Sequence, residues 1–490
     1  MGFPILSFII FIPLLAGLAI IFFGRKNPQM VRPVALIAAS LVLLLTLVLW
    51  VSYSIPTAGY QFVENIPWLP ELGISYHLGV DGISIAMLVL TGLVVFSGVM
   101  VSWKIQERPE EFFAYLMFLA TSVLGVFSSL DLFLLFFFLE IAVFPKYLMI
   151  VIWGSPQTRE YGGMKLTLYL FIGSLLAIVG SLAIYFASPE RSFDLLVLER
   201  AGFSTAVQKL WFPFIFMGFA VLGGIFPFHS WAPDGHVAAP TAISMLLAGV
   251  EMKVGVFAAL RVAITLLPEG ARYWSTWILV LATINVVYGA LIAMIQKDFK
   301  YVIGFSSVSH MGLVLIGFAS LNYNGLLGAG LQMFSHGIMT ALFFSVVGMV
   351  YDQTHTRDIA SLGGLAKKMP YAAFGFIIAG LVSMGMPGLS GFIAEIPIYM
   401  GAWQAAPLVA VIAVISIVIT AAYILLTIRR VFFGKLPEQF ENTVHDISKR
   451  DKIVIGVLSL FMIGIGLLPQ LMVPLIETGV NRILTLLGGA

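Results

Sequence analysis

The chain has 490 residues, 60% of them hydrophobic and 10% charged, with a net charge of +2 and no cysteine. That much apolar surface exceeds what a soluble domain buries, so the composition points to an all-α polytopic membrane protein, one transmembrane domain over 1–490. The missing cysteines exclude a Cys-ligated iron–sulfur cluster, a thiolate metal site and a disulfide framework.

Taken in chain order, apolar runs bounded by Pro, Gly or charge give fourteen candidate spans, starting near residues 3, 31, 81, 112, 131, 164, 211, 241, 274, 301, 326, 372, 407 and 452. The first run carries its charges after the apolar stretch and lacks a small-residue cleavage site, which reads as a span and not a signal peptide. An even number of spans puts both termini on one side. The loops after the odd-numbered spans hold 18 of the 26 Lys and Arg residues, and the opposite loops and termini hold 5. By the positive-inside rule the former are cytoplasmic, as in "RRVFFGKLPEQFENTVHDISKRDK" (429–452), and both termini lie outside an inner or cell membrane.

Two spans are interrupted. The seventh reads "WFPFIFMGFAVLGGIFPFHSWAPDGH" and the twelfth "FGFIIAGLVSMGMPGLSGFIAEIPIYMGAW". Proline removes a backbone hydrogen bond, and broken backbone at membrane depth is tolerated only beside protein or water. Paired breaks five spans apart are what an inverted repeat produces. No phosphate-binding loop, dinucleotide fingerprint or H-E-x-x-H string occurs, so any energy input is handled elsewhere.

Ionisable residues within the spans are few: Glu140, Lys146, Glu251, Lys253, Arg261, His310, His336 and Glu395. Glu140 lies roughly 13 Å along its helix from Asp131, and Lys253 about 18 Å along from Thr241, which sets both near the midplane. Several titratable groups at one depth suggest a lateral proton relay. Other readings stay open. The two histidines could be satisfied core residues or could hold a haem. Glu251 and Lys253 point to different faces and could each pair for stability alone. Arg261, near a span end, is expected to snorkel to the surface. The histidines at loops or span ends (His77, His229, His236, His355, His445) suit solvated or loop-tying roles. The stretch 227–240, with "PDGHVAAP", is expected to fold back and close the cytoplasmic side of a half-channel.

The strings "GVDGIS" (79–84), "FFFLEIAVFPKYLMIVIWG" (136–154), "PFHSWAPDGHVAAPTAISMLLAGVEMKVG" (227–255), "QKDFKYVIGFSSVSHMGLVLIG" (296–317), "THTRDIASLGGL" (354–365) and "PGLSGFIAEIPI" (387–398) resemble the antiporter-like membrane subunits of respiratory complex I. The resemblance is nearest to the chain M, or mitochondrial subunit 4, branch and covers roughly residues 79–435. It implies inverted five-helix repeats over 112–266 and 274–433, with helices 7 and 12 broken. It implies a proton pathway through Glu140, Lys253, His310, His336 and Glu395; Lys146 is read as part of the same pathway and Glu251, His236 and Lys300 as possible further members, although the resembling chains normally have no lysine at position 146 and an apolar residue at 251. It also implies that this chain holds no redox centre and no cofactor, while NADH, FMN, iron–sulfur clusters and quinone belong to partner subunits of an NADH:quinone oxidoreductase. The neighbours would be other antiporter-like membrane chains. A sodium/proton antiporter or membrane-bound hydrogenase subunit shares the same pattern.

One departure stands out. The resembling chains carry a lysine on helix 7 as partner to the helix 5 glutamate, and Leu222 occupies that position here. Lys146, six residues beyond Glu140 and off its face, is the extra cation of the fifth span. The expectation drawn from this is that Lys146 replaces the missing lysine opposite Glu140; snorkelling or pairing with Glu251 are the alternatives.

Overall fold

The computed structural model describes residues 3–488. Helices occupy each of the stretches read as spans, and twelve of them are long and apolar enough to cross a membrane. The twelfth stretch is split into Pro370–Ser383 and Ser390–Ala405, and the last, Lys449–Leu467, opens with four charged residues. The ends of these helices follow from local chemistry. Pro28, Pro109, Pro268, Pro370 and Pro407 each stand in a first turn, where a missing N–H costs nothing. Others begin at a side-chain cap: Asp81 accepts from the Ser84 N–H, Asp131 from Leu134, and Asn322 from Gly325.

Burial sorts the helices into two shells. The central stretches of Thr241–Ile264 and Tyr323–Thr354 are enclosed, and those of Gly82–Lys104 and Phe299–Ala319 nearly so. In Ile5–Gly24, Pro28–Ser52 and Pro407–Phe432 fewer than half of the residues of the apolar stretch are buried. Nearly continuous apolar sequence cannot distinguish the two shells; packing does.

Both interrupted spans break in the same way. After Thr205–Leu222 the Ile225 N–H returns to the Ala220 carbonyl and the Gly224 N–H to Val221. After Pro370–Ser383 the Met386 N–H returns to Leu381 and the Gly385 N–H to Val382. This paired hydrogen-bond pattern ends a helix with a left-handed residue, and Gly224 (φ +75°) and Gly385 (φ +64°) supply it. Chain then resumes as Trp231–Ala238 in the first case and Ser390–Ala405 in the second. The 227–240 stretch is thus ordered and largely buried, with a short helix where the sequence suggested a folded-back loop.

The helix Thr241–Ile264 contains two π-helical segments, Leu247–Glu251 and Ala259–Ile264. A π turn leaves a carbonyl without its usual partner. In the first segment Lys253 Nζ donates to the Ala248 carbonyl; in the second, the Leu260 carbonyl accepts both the Thr265 N–H and Thr265 Oγ1, the latter at 2.8 Å.

Two elements depart from the purely helical reading. Residues Gln61–Leu69 and Ile74–Val80 form an antiparallel hairpin between the second and third spans. After the last span, Val473–Leu486 forms an amphipathic helix that returns across the end of Gly82–Val101. The approach is close enough that a Cβ at Gly82 would lie 1.7 Å from the Leu475 carbonyl oxygen. Gly82→Val is therefore expected to push the C-terminal helix off its seat and to cost about 2–3 kcal/mol, the range of a severe packing clash. A lower melting temperature, together with faster proteolysis beyond residue 467, checks this.

Candidate functional site

The enclosed helices carry a connected set of polar side chains across the interior. At its centre Lys253, fully buried between the two π segments, donates to Nδ1 of His336 at 2.6 Å. The His336 ring stacks on His310, with centroids 5.3 Å apart and planes 19° from parallel. His310 presents Nδ1 to the Ser306 carbonyl at 2.8 Å and Nε2 to the Ser383 carbonyl at 3.2 Å. Nε2 also faces Glu395 Oε1 at 3.7 Å. Both ring nitrogens thus meet acceptors, and the imidazole can hold a proton on either or both. Glu395 is completed by Gln332 Nε2 and the Tyr399 hydroxyl, each at 3.4 Å. The line ends at the second break: a Cβ at Gly385 would sit 2.8 Å from Glu395 Oε2, so backbone without a side chain is needed there.

On the other side of Lys253, Lys146 Nζ donates to Glu251 Oε2 at 2.9 Å, the two side chains being 2% and 5% exposed. This corrects the expected partnership of Lys146 with Glu140. Two residues separate Glu251 from Lys253, about 200° around the helix, so Glu251 turns to the fifth span while Lys253 faces His336. Glu140 itself is half-buried on the outer face of that span, and its buried Oε1 has no hydrogen-bond partner among the described residues. Leu222 packs where a Cβ at Gly255 would lie 2.7 Å away, against the helix that bears Lys253.

The remaining candidates lie at one end of the set. His236 is fully buried beside Phe344, and neither ring nitrogen has a partner. Lys300 is buried as well. Its ammonium caps the Trp231–Ala238 helix, donating to the Ala239 carbonyl at 2.6 Å, the His236 carbonyl at 3.3 Å and Ser244 Oγ at 3.0 Å. Lys300 also lines a cavity of about 450 Å³ with Lys104, Thr241, Ser345, Asp352 and Arg357. The haem reading does not fit the histidine pair: the His310 and His336 rings stack directly, and their bonded nitrogens are engaged by Ser306, Ser383 and Lys253.

Arg261 does not snorkel. It is 4% exposed and ion-paired with Asp81, the cap of the third span, with the Tyr60 ring 5.5 Å from its guanidinium. On the other side of Tyr60 stands Arg482 of the C-terminal helix, 4.2 Å from the ring and 2.5 Å from Glu199. Sequence reading missed this cluster because its four charges and Tyr60 lie in five distant stretches; only the Asp81 cap within "GVDGIS" carried a local signal. Burial alone would raise the Asp81 carboxyl, but the Arg261 charge and hydrogen bond outweigh it and hold Asp81 below its ordinary value. At Glu199 burial wins over Arg482, and its carboxyl stands above the usual range.

With the geometry in place, comparison with known proteins is direct. Residues 129–420 match the family model for the membrane domain of NADH:quinone oxidoreductase and Mrp antiporter chains, and the chain belongs to that family. It is 35% identical over 487 residues to NADH-quinone oxidoreductase subunit M of Rickettsia prowazekii, covering 98% of this chain and 99% of the relative. NAD(P)H-quinone oxidoreductase chain 4 2 of Thermosynechococcus vestitus is 34% identical over 477 residues, 96% of this chain and 89% of the relative. Among solved structures, a chain of respiratory complex I from Thermus thermophilus superposes with a TM-score of 0.91 at 28% identity, covering 99% of this chain and all of that one.

Removing one partner of the Asp81–Arg261 pair leaves a buried charge alone. Arg261→Met is therefore expected to destabilise the chain by about 3–5 kcal/mol, and Asp81→Asn/Arg261→Met to recover most of the loss. Because the pair lowers the Asp81 value, its contribution is complete above the ordinary 3.8 and is lost as pH falls from there through the lower folded-state value. Thermal melts of the two variants between neutral and acid pH test both statements.

Proposed function

We propose that this chain is a proton-translocating membrane-arm subunit of an NADH:quinone oxidoreductase, driven by redox chemistry in other subunits. The observation that carries the reading is the succession of buried side chains Lys253, His336, His310 and Glu395, linked by a hydrogen bond, a ring stack and a 3.7 Å approach in turn. Buried ionisable side chains in a membrane are costly, roughly 2.5–3.5 kcal/mol each on insertion scales, and a row of acceptors and donors of alternating type is the arrangement a proton relay requires. The relationship to subunit M and chain 4 proteins, over nearly the full length of both chains, supports the same placement.

In this scheme fourteen helices cross the membrane, with inverted repeats over 112–266 and 274–433. The matching hydrogen-bond patterns after Leu222 and Ser383 support that repeat. Both termini face outward and the Lys/Arg-rich loops face the cytoplasm of an inner or cell membrane. Protons then enter by the cavity beside Lys300, where Ser244 and His236 lead toward Lys253. Lys253 passes a proton to His336 Nδ1, the N–H bond to lysine breaking as that to imidazole forms. A rotation of the stacked rings or a bridging water carries it to His310 and on to Glu395. The electron carriers (NADH, FMN, iron–sulfur clusters and quinone) belong to partner subunits, and the neighbours in the arm are other antiporter-like chains.

The energetics match one proton per rearranged pair. Moving a unit charge against 100 mV costs about 2.3 kcal/mol. Two charges roughly 6 Å apart interact by about 3 kcal/mol at an effective dielectric of 20. The family's Mrp branch keeps a second reading in view, a subunit of a multi-subunit sodium/proton antiporter. Co-purifying chains separate the two: iron–sulfur and quinone-site subunits mark the oxidoreductase.

In the native complex reconstituted into liposomes, Lys253→Met is expected to abolish NADH-driven internal acidification, read by quenching of a pH-sensitive dye. His336→Leu is expected to do the same. Full acidification with Lys253→Met would refute the relay.

A further inference from the structure

A separate group of titratable side chains, His77, Asp131 and Asp194, gathers where the fifth span begins. Three segments meet there. Residues 129–132, the entry to that span, run between the hairpin strand Ile74–Val80 and residues 193–195. The Leu130 N–H donates to the His77 carbonyl at 2.8 Å, the Leu132 N–H to Phe193 at 2.8 Å and the Leu195 N–H to Leu130 at 2.9 Å. Side chains reinforce this ladder. Asp131 Oδ1 accepts from the Leu134 N–H at 3.0 Å, capping the helix, and Oδ2 accepts from the Ser75 N–H of the hairpin at 2.9 Å. His77 Nδ1 and Asp194 Oδ2 lie 2.8 Å apart and join the hairpin to the third segment.

Asp131 and Asp194 are bridge partners, so two carboxylates stand on directly opposed residues, where like charges repel. Asp131 and His77 are both buried. The other ionisable groups nearby are turned elsewhere. Glu64 accepts from the N–H groups of Leu6 and Ser7, the Tyr185 hydroxyl donates to the Leu72 carbonyl, and Glu71, Glu190 and Arg191 are exposed. Burial and the charge of Asp194 outweigh the backbone donors at Asp131 and raise its carboxyl to about 6. At Asp194 burial also acts upward, but the His77 hydrogen bond and charge outweigh it and hold the carboxyl below its ordinary value. Both effects have one sign. A carboxyl raised in the folded state favours the junction once protonated, and an imidazolium facing a carboxylate does so below the histidine range. Each contribution is gained as pH falls and lost as it rises.

Building on the proton-transport reading, in which this end of the span faces outward, we infer that His77, Asp131 and Asp194 form an acid-set lock: protons from the outer compartment draw the hairpin and residues 193–195 onto the entry of the fifth span and slow the relay. With Asp131 neutral and His77 an imidazolium, one negative charge faces one positive charge and the junction is closed. With Asp131 ionised and His77 neutral, two carboxylates oppose each other and the junction loosens. The helical span Leu132–Trp153 held there carries Lys146, whose bond to Glu251 ties it to the helix of Lys253. Restraint at the entry is therefore restraint beside the central lysine. The protons that set the lock come from the compartment the relay fills, so transport is limited once that compartment is acid.

The test uses the whole native complex in liposomes with its outer face toward the lumen, which is buffered at values between about pH 8 and 5. Initial rates of NADH-driven proton transport are read at each value. Amide exchange at Ser75, Leu130 and Leu134 of the purified complex is followed over the same range and corrected for its intrinsic pH dependence. In the parent, opening at these amides becomes about tenfold rarer for each pH unit below the Asp131 value, the weight of one bound proton, and the transport rate falls in step. Asp131→Asn, a neutral residue that still caps a helix, is locked at neutral lumen pH: its amides are better protected than the parent's and its transport is slow. His77→Gln is locked less tightly at acid lumen pH, and Asp131→Asn/His77→Gln responds to lumen pH in neither readout. A merely damaged junction would exchange faster in Asp131→Asn, and that result overturns the lock. So does parental transport by Asp131→Asn at neutral lumen pH, or a parental pH profile in the double variant. A parent complex whose amides lock with acid but which moves no protons would instead overturn the transport reading.

Discussion

The constraint from which this architecture follows is that a charge or a free backbone carbonyl in the membrane interior must find its partner inside the protein. Lys253 meets both halves of the requirement at once. Its ammonium occupies the Ala248 carbonyl that the π segment releases and simultaneously donates to His336. Backbone irregularity and buried charge therefore stabilise each other. The same solution recurs at the two broken spans, where glycines in left-handed conformation close the helix ends and the resumed chain lies against the enclosed helices.

Placement of the enclosed helices determines which polar groups can communicate. Three of the most buried helices hold Lys253, His310 and His336, and the second break presents Glu395 to them. The outer shell carries no comparable chain of contacts. Within the second π segment, Arg261 ties the same helix to Asp81, and through Tyr60 to Arg482 and Glu199. The helix that bears the central lysine is thus clamped by one ion pair on each side of it, Lys146–Glu251 and Asp81–Arg261. Each clamp point falls in a π segment, and the turn between them that carries Lys253 is regular α-helix.

Partner choice for buried charges separates this chain from a simple transfer of its relatives' pattern. With Leu222 in place of a cation, the seventh span contributes packing against Gly255 and no charge. The cation has come from the fifth span and its carboxylate from the eighth. Burial of both members makes the pair's single-sided removal expensive, while its net contribution to folding is small. Retaining such a pair in the interior is accordingly better explained by its proximity to Lys253 than by stability.

The sequence alone determined the helical membrane class, the positions of the spans to within a few residues and the two breaks, because hydropathy and Pro/Gly placement act locally. It also isolated nearly every interior titratable residue, since charge is conspicuous in an apolar run. It could not assign their partners. Lys146 and Glu251 are 105 residues apart, and Arg261 and Asp81 180 apart, so no local periodicity relates them. The hairpin at 61–80, the C-terminal helix seated on Gly82 and the burial of Arg261 were likewise decided by packing. In a chain whose surface and core are equally apolar, only the tertiary arrangement of helices determines which face is inside and which charge meets which.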